Sequence, residues 1–135
     1  MKKIYGILFF LGMIILCGCE VKVIEKQGEK RELPFVILGK EVIPEELKKL
    51  IEEKKEEEIK LTYVDEEGRY IIIGYGKQNT GGYSIYIKEL YATENAIYVD
   101  ASLIPPKEYK KEEQVSSYPV MVIQISEMSL PVVFR

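Results

Sequence analysis

From Ile59 to the end of the chain, apolar residues recur with a period of two, which is the signature of strands with one covered face. Ile59, Leu61 and Tyr63 alternate with polar neighbours, and Asp65-Glu66-Glu67-Gly68 supplies a turn. Arg69 to Tyr75 is more continuously apolar, as suits a central strand covered on both sides. Gly76 to Gly82 reads as a loop. Tyr83 to Leu90 reads as a strand with Ile85 and Ile87 on one face and Ser84, Tyr86 and Lys88 on the other. Ala92-Thr93-Glu94-Asn95 turns the chain into Ile97 to Ile104, where Ile97, Val99, Ala101 and Leu103 share a face. With both apolar sets on one side, the simplest register sets Ile87 opposite Val99 and Ile85 opposite Ala101, bringing Tyr86 near Asp100. Pro105-Pro106 stops that strand, Lys107 to Ser117 is a polar excursion, and Val120 to Ile125 is a final strong strand, with a short one at Val132 to Phe134.

Ahead of this region the pattern differs. Leu33 to Leu38 is a short apolar run whose Pro34 favours the beginning or the edge of a strand, because proline cannot donate to a ladder. One helix is expected over 44–58. Pro44 suits its first position, Glu45 and Glu46 suit the positive end of its dipole, and Leu47, Leu50 and Ile51 form one buried stripe. Glu52 to Glu58 has no apolar residue and reads as a solvated helix end. These elements predict an α+β, mainly β fold: an antiparallel-leaning sheet packed against one helix, in a single domain over 33–135.

The first eighteen residues have a different character. Lys2 and Lys3 precede an apolar run from Ile4 to Leu16, then the small segment Cys17-Gly18-Cys19. As a helix the run would reach about 20 Å, short of the roughly 30 Å hydrocarbon core, so it reads as the apolar part of an export signal over 1–18. Leu16-Cys17-Gly18-Cys19 resembles the bacterial lipobox. That resemblance implies cleavage between Gly18 and Cys19, lipid on the Cys19 thiol, and a membrane partner on the extracytoplasmic face. Residues 19–32, largely charged, then form a lipidated terminus and a tether or edge strand. No cysteine follows Cys19, so the fold has no disulfide and depends on its core.

Composition narrows the chemistry. Loss of Lys2 and Lys3 leaves 17 of the 19 basic residues against 22 acidic ones, a net charge near −5 that excludes nucleic acid as a natural partner. Histidine is absent, so Ser-His, Cys-His and His-rich metal arrangements cannot be assembled, and neither a catalytic centre, a metal nor a cofactor is expected. Among the many carboxylates, Asp100 on its regular strand is the one to test for hydrolase chemistry. The glycines of Gly76-Lys77-Gln78-Asn79-Thr80-Gly81-Gly82 lack the Lys-Ser/Thr and the following helix of a phosphate-binding loop, and read as positions of positive φ in a strand connection. Tyr70, Tyr75, Tyr83, Tyr86 and Tyr98 concentrate in the central strands. They suit sheet packing, or a binding face around Tyr86, Tyr98 and Asp100 that would serve a cell-wall or small-ligand module.

The string GKQNTGGYSIYI from Gly76 to Ile87, with the later IYVDASLIPP and SSYPVMVIQI, resembles the carboxy-terminal domain of the protease complex subunit PrcB family over Tyr70 to Ser126. Its most specific part is the loop Gly76, Thr80, Gly81, Gly82 and Tyr83, continuing into Ser84-Ile85. The resemblance implies a secreted or lipid-anchored accessory subunit that stabilises or localises a protein partner, a surface protease in the first instance, without catalysis of its own.

Overall fold

The computed structural model describes residues 29–108, 115–127 and 129–135. The expected signal, the cleavage site at Gly18 and Cys19 and most of the tether lie outside the described residues.

Tyr70-Ile71-Ile72-Ile73 is buried throughout, although successive side chains of a strand point to opposite faces. Each face therefore needs its own cover. Among the described residues the chain supplies it with eight strands and one α-helix: β1 (Arg31–Glu32), β2 (Val36–Ile37), α1 (Glu45–Lys54), β3 (Glu58–Asp65), β4 (Gly68–Tyr75), β5 (Ser84–Ala92), β6 (Ile97–Ile104), β7 (Val120–Ile125) and β8 (Val132–Phe134). The strands form two four-stranded sheets, ordered β1-β5-β6-β8 and β2-β7-β4-β3. Every pairing is antiparallel except β6 with β8.

Ile71 and Ile73 of β4, with Ile123 and Ile125 of β7, pack against Leu90, Ala92, Ile97 and Val99 of the opposite sheet. On the reverse face, Tyr70, Ile72, Ile59 and Val122 pack under Leu47 of α1. The result is three layers: helix, sheet, sheet. The mainly β α+β class expected from the alternation is the one formed, with a second sheet as the difference. Periodicity reports which residues share a face, and it does not say whether a helix or another sheet covers that face.

That second sheet divides the apolar run at Leu33. β1 is an edge of one sheet and β2 an edge of the other, so Leu33-Pro34-Phe35 carries the chain across the side of the sandwich. The helix also ends earlier than expected. Lys55 closes α1, Glu57 N donates to Lys54 O (3.0 Å), and Glu58 already pairs with Tyr75 in β3. Ladder bonds to β4 outweigh the helix propensity of the glutamate run.

The β5–β6 register differs from expectation by two residues. Ile87 faces Ala101, Ile85 faces Leu103, and Tyr86 faces Ser102 rather than lying opposite Asp100. Two local causes account for the shift. The turn is tight, with Ala92 still paired to Ile97, and a bulge leaves Lys88 unpaired between Ile87 and Glu89. The bulge also explains why core residues are spaced by three from Ile87 to Leu90.

Candidate functional site

One end of the sandwich collects the distinctive sequence segments. β4 delivers the chain to this end at Tyr75, whose N–H donates to Pro119 O (3.1 Å) just before β7. Gly76 then turns with φ 75°, and a Cβ there would lie 3.1 Å from Glu56 O, so the backbone runs close beneath the end of α1. Lys77 N donates to that same Glu56 carbonyl (3.2 Å).

The loop is next fastened to the stretch before β7. Gln78 N donates to Ser117 O (2.8 Å) and Ser117 N to Gln78 O (3.1 Å), an isolated antiparallel bridge. The Gln78 side chain donates back to Tyr75 O (3.0 Å), and Ser117 Oγ donates to Thr80 O (2.7 Å). Thr80 is buried, which is unusual for a loop threonine and reflects this double fastening. Gly82, at φ 88°, then passes over the ring of Pro106 before Ser84 pairs with Ile104 to begin the hairpin.

Three stretches far apart in sequence, 76–83, 104–106 and 115–119, thus hold one another. α1 joins them from the side: the Lys55 ammonium stands 4.7 Å from the centre of the Tyr118 ring. The ion pair of Lys55 with Glu52 (2.8 Å) is the main reason its pKa lies above the usual lysine value.

Around this frame, Tyr83 and Tyr118 are half-buried, while Ile104, Val115, Lys77 and Lys107 are exposed. A stiff backbone presenting tyrosine, aliphatic and lysine side chains suits contact with another protein, because rigid aromatic anchors lose little entropy on binding. The Ser117 hydroxyl is engaged by the Thr80 carbonyl, and among the described residues no group of three or more acidic or cysteine side chains converges to hold a metal.

Gly76, Thr80, Gly81, Gly82 and Tyr83 all lie in this cluster. Tyr86, Tyr98 and Asp100 share the outer face of the other sheet, at alternate positions of β6 and across from it. Tyr86 stands opposite Ser102, Asp100 opposite Glu89, and Tyr98 opposite Tyr91. Tyr98 stacks on Tyr91 (5.1 Å between ring centres), with Arg135 over the Tyr98 ring (4.6 Å) and Lys30 over the Tyr91 ring (4.7 Å). These two rings and two cations are thus engaged with one another within the chain. Clefts of about 470 and 390 Å³ lie elsewhere, beside the β5 bulge and between α1 and β7.

The segments that meet at this end are those of the sequence resemblance, and a family comparison gives the same answer. Residues 69–126 match the family described as PrcB C-terminal. The matched segment thus runs from β4 through β7. It takes in both central sheet strands, the β5–β6 hairpin and every part of the loop cluster except its helical neighbour. No curated protein and no solved structure matches the chain.

Gln78 and Ser117 hold the cluster together, and periodicity does not reveal them. Their bridge joins two loops, and nothing in either loop's own sequence names the other. Pro106 is signalled in part by the paired prolines, which mark a chain reversal but not the glycine beneath it.

Proposed function

We propose that the chain is a lipid-anchored, extracytoplasmic accessory subunit whose PrcB C-terminal segment docks a protein partner and carries out no chemistry itself. One observation carries this reading: the family-matched segments close on one another to build a stiff presenting surface at one end of the sandwich. Enzymatic loops instead aim polar groups into a cleft. The family name supports a protease complex as the setting, with this chain stabilising or localising the protease. The order of charge, apolar run and Leu16-Cys17-Gly18-Cys19 supports anchoring through lipid on Cys19.

The test is cross-linking in cells from a photoreactive residue at Lys77, followed by mass spectrometry of membrane complexes. A single major adduct with a secreted protease is expected, and it should disappear when Tyr83 and Tyr118 are both changed to serine. Recovery of the chain without any adduct, under conditions that preserve other envelope complexes, overturns the docking role. Hydrolysis of peptide or glycan substrates by the purified chain, abolished by Asp100→Asn, overturns the non-catalytic part.

A further inference from the structure

The β5–β6 hairpin is flanked by further strands only over the half that holds the Thr93–Ala96 turn. β1 pairs with β5 at Tyr91 and Ala92, and β8 pairs with β6 at Ile97, Tyr98 and Val99. From Asp100 to Ile104, β6 has β5 on one side and, among the described residues, no strand on the other.

The ladders fix which main-chain groups this leaves bare. Ile97 N donates to Pro131 O (2.8 Å) and Arg135 N donates to Val99 O (2.9 Å), so the odd-numbered residues of β6 turn their N–H and C=O toward β8. Tyr98, Asp100, Ser102 and Ile104 turn theirs toward β5. Ala101 and Leu103 continue the odd series past the end of β8, and among the described residues nothing pairs with their outward N–H and C=O groups. Their side chains report the same lack of cover. Ile97 and Val99, beside β8, are buried, whereas Ala101 and Leu103 on the same face are only half-buried, and Ile104 beyond them is exposed.

Natural sheets protect their open edges with charge, proline, bulges or brevity. β3 carries the ion-paired Glu58 and Lys60 (3.1 Å between Lys60 Nζ and Glu58 Oε1), and β1 is the charged pair Arg31-Glu32. β5 is bulged at Lys88, and β8 is a short strand between Pro131 and Arg135. The edge of β6 over Ala101-Ser102-Leu103-Ile104 has none of these devices. It is uncharged and regularly paired with β5, and it leads into Pro105-Pro106, where Pro106 lies against Gly82 of the motif loop.

We propose that this edge receives an extended segment of the partner protein, which joins the sheet as a strand in line with β8 and beside the motif loops. The inference deepens the accessory reading above and rests on it. N–H and C=O groups repeating at strand spacing are complemented by extended main chain, which supplies donors and acceptors at the same interval. β8 already uses this edge in that way, three residues back along β6. The uncharged edge selects an uncharged stretch of the partner, with an apolar side chain set beside Ala101 and Leu103.

Amide exchange in the purified full chain tests the edge itself. The Ala101 and Leu103 N–H groups should exchange far faster than that of Ser102, which is paired with Tyr86. Equal protection of all three means that the chain covers its own edge, and overturns the proposal. Cross-linking in cells then tests the occupant, with a photoreactive residue at Ser102 compared with one at Lys77. Ser102 should capture one short peptide of the same protein that Lys77 captures, and the yield should fall several-fold in Leu103→Pro. Proline there removes an outward N–H and no bond to β5. Should its urea midpoint show that this variant does not fold, Leu103→Lys, which places a charge on the edge, should give the same fall. A Lys77 adduct without a Ser102 adduct, or a Ser102 adduct that the folded Leu103 variants leave unchanged, overturns strand addition and leaves the accessory reading standing. A Ser102 adduct with a second copy of this chain also overturns it, because self-pairing then fills the edge. Absence of adducts from both positions overturns the accessory reading and the strand addition together.

Discussion

Gly82 lies so close to Pro106 that a Cβ on the glycine would stand 2.9 Å from the proline Cβ, in a backbone conformation of φ 88° that side chains rarely adopt. Gly82→Ala is therefore expected to lower stability by about 1–3 kcal/mol, from left-handed backbone strain and displacement of the proline. Gly81 next to it has open space and an unremarkable φ, so Gly81→Ala should stay within about 0.5 kcal/mol of the parent. Urea unfolding of both variants checks the contrast. Equal losses would mean that the loop is not clamped against the proline corner.

Ser117 is the second fastening. Its hydroxyl bond to Thr80 O spans 37 residues of sequence at 2.7 Å in a part-buried setting, so Ser117→Ala should cost about 1 kcal/mol of stability. The larger effect is expected locally. Amide hydrogen exchange at Gln78 and Ser117, whose N–H groups form the bridge, should accelerate well beyond that of Ile72 and Ile123 in the sheet. Uniform acceleration across loop and sheet would show instead that the hydroxyl supports the whole fold.

What the sequence discloses and what it hides follow from the range of each interaction. β4 is legible as a doubly covered strand because four consecutive apolar residues cannot face water on either side, and Ile71 and Ile72 are both fully buried. The positive φ at Gly76 and Gly82 is legible because glycine is the residue that adopts it without strain. The β5–β6 register is misread because an unpaired Lys88 costs no apolar contact, and the alternation on either side of the bulge still looks regular. The second sheet, and the crossing at Leu33 to Phe35, depend on packing between residues far apart in the sequence, such as Leu33 against the cluster that joins Ile71 and Ile123 to Leu90 and Val99. The site shows the same division: the glycine loop is visible locally, whereas its union with Pro106 and Ser117 exists only in three dimensions.

The three-layer arrangement makes a prediction that a single open sheet would not. Ile71→Ala opens a hole between the sheets and Ile72→Ala opens one beneath the helix, and each should cost about 2–5 kcal/mol. Leu47→Ala, on the other side of the Ile72 contact, should cost a similar amount, because Leu47 is the fully buried residue of α1. Combined with Ile72→Ala it should cost less than the sum, since the two share one cluster. Combined with Ile71→Ala it should be additive. Denaturant midpoints of the single and double variants decide the matter; additivity in both pairs would separate the helix from the sheet it is said to cover.

Alkaline pH should loosen the fold in a predictable direction. Tyr70 is held above its ordinary value of 10.0 chiefly by burial and then by the nearby Asp65 carboxylate. Tyr75 is raised chiefly by burial, against a lowering influence from Lys60, and Tyr63 chiefly by its hydrogen bond to Glu46 (2.8 Å). A phenol with a higher pKa when folded keeps its proton more tightly in the native state. Its contribution is complete below the unfolded value of about 10 and is lost as the pH climbs through the folded value. No histidine is present to titrate, so stability should stay level from about pH 6 to pH 9 and fall above about pH 10. Tyr70→Phe keeps the buried ring and should shallow that fall while lowering stability at neutral pH only slightly. Urea midpoints across this range, followed alongside tyrosinate absorbance, provide the check: a parent midpoint unchanged between about pH 9 and pH 11 would mean that none of these hydroxyls is held in its protonated form by the fold.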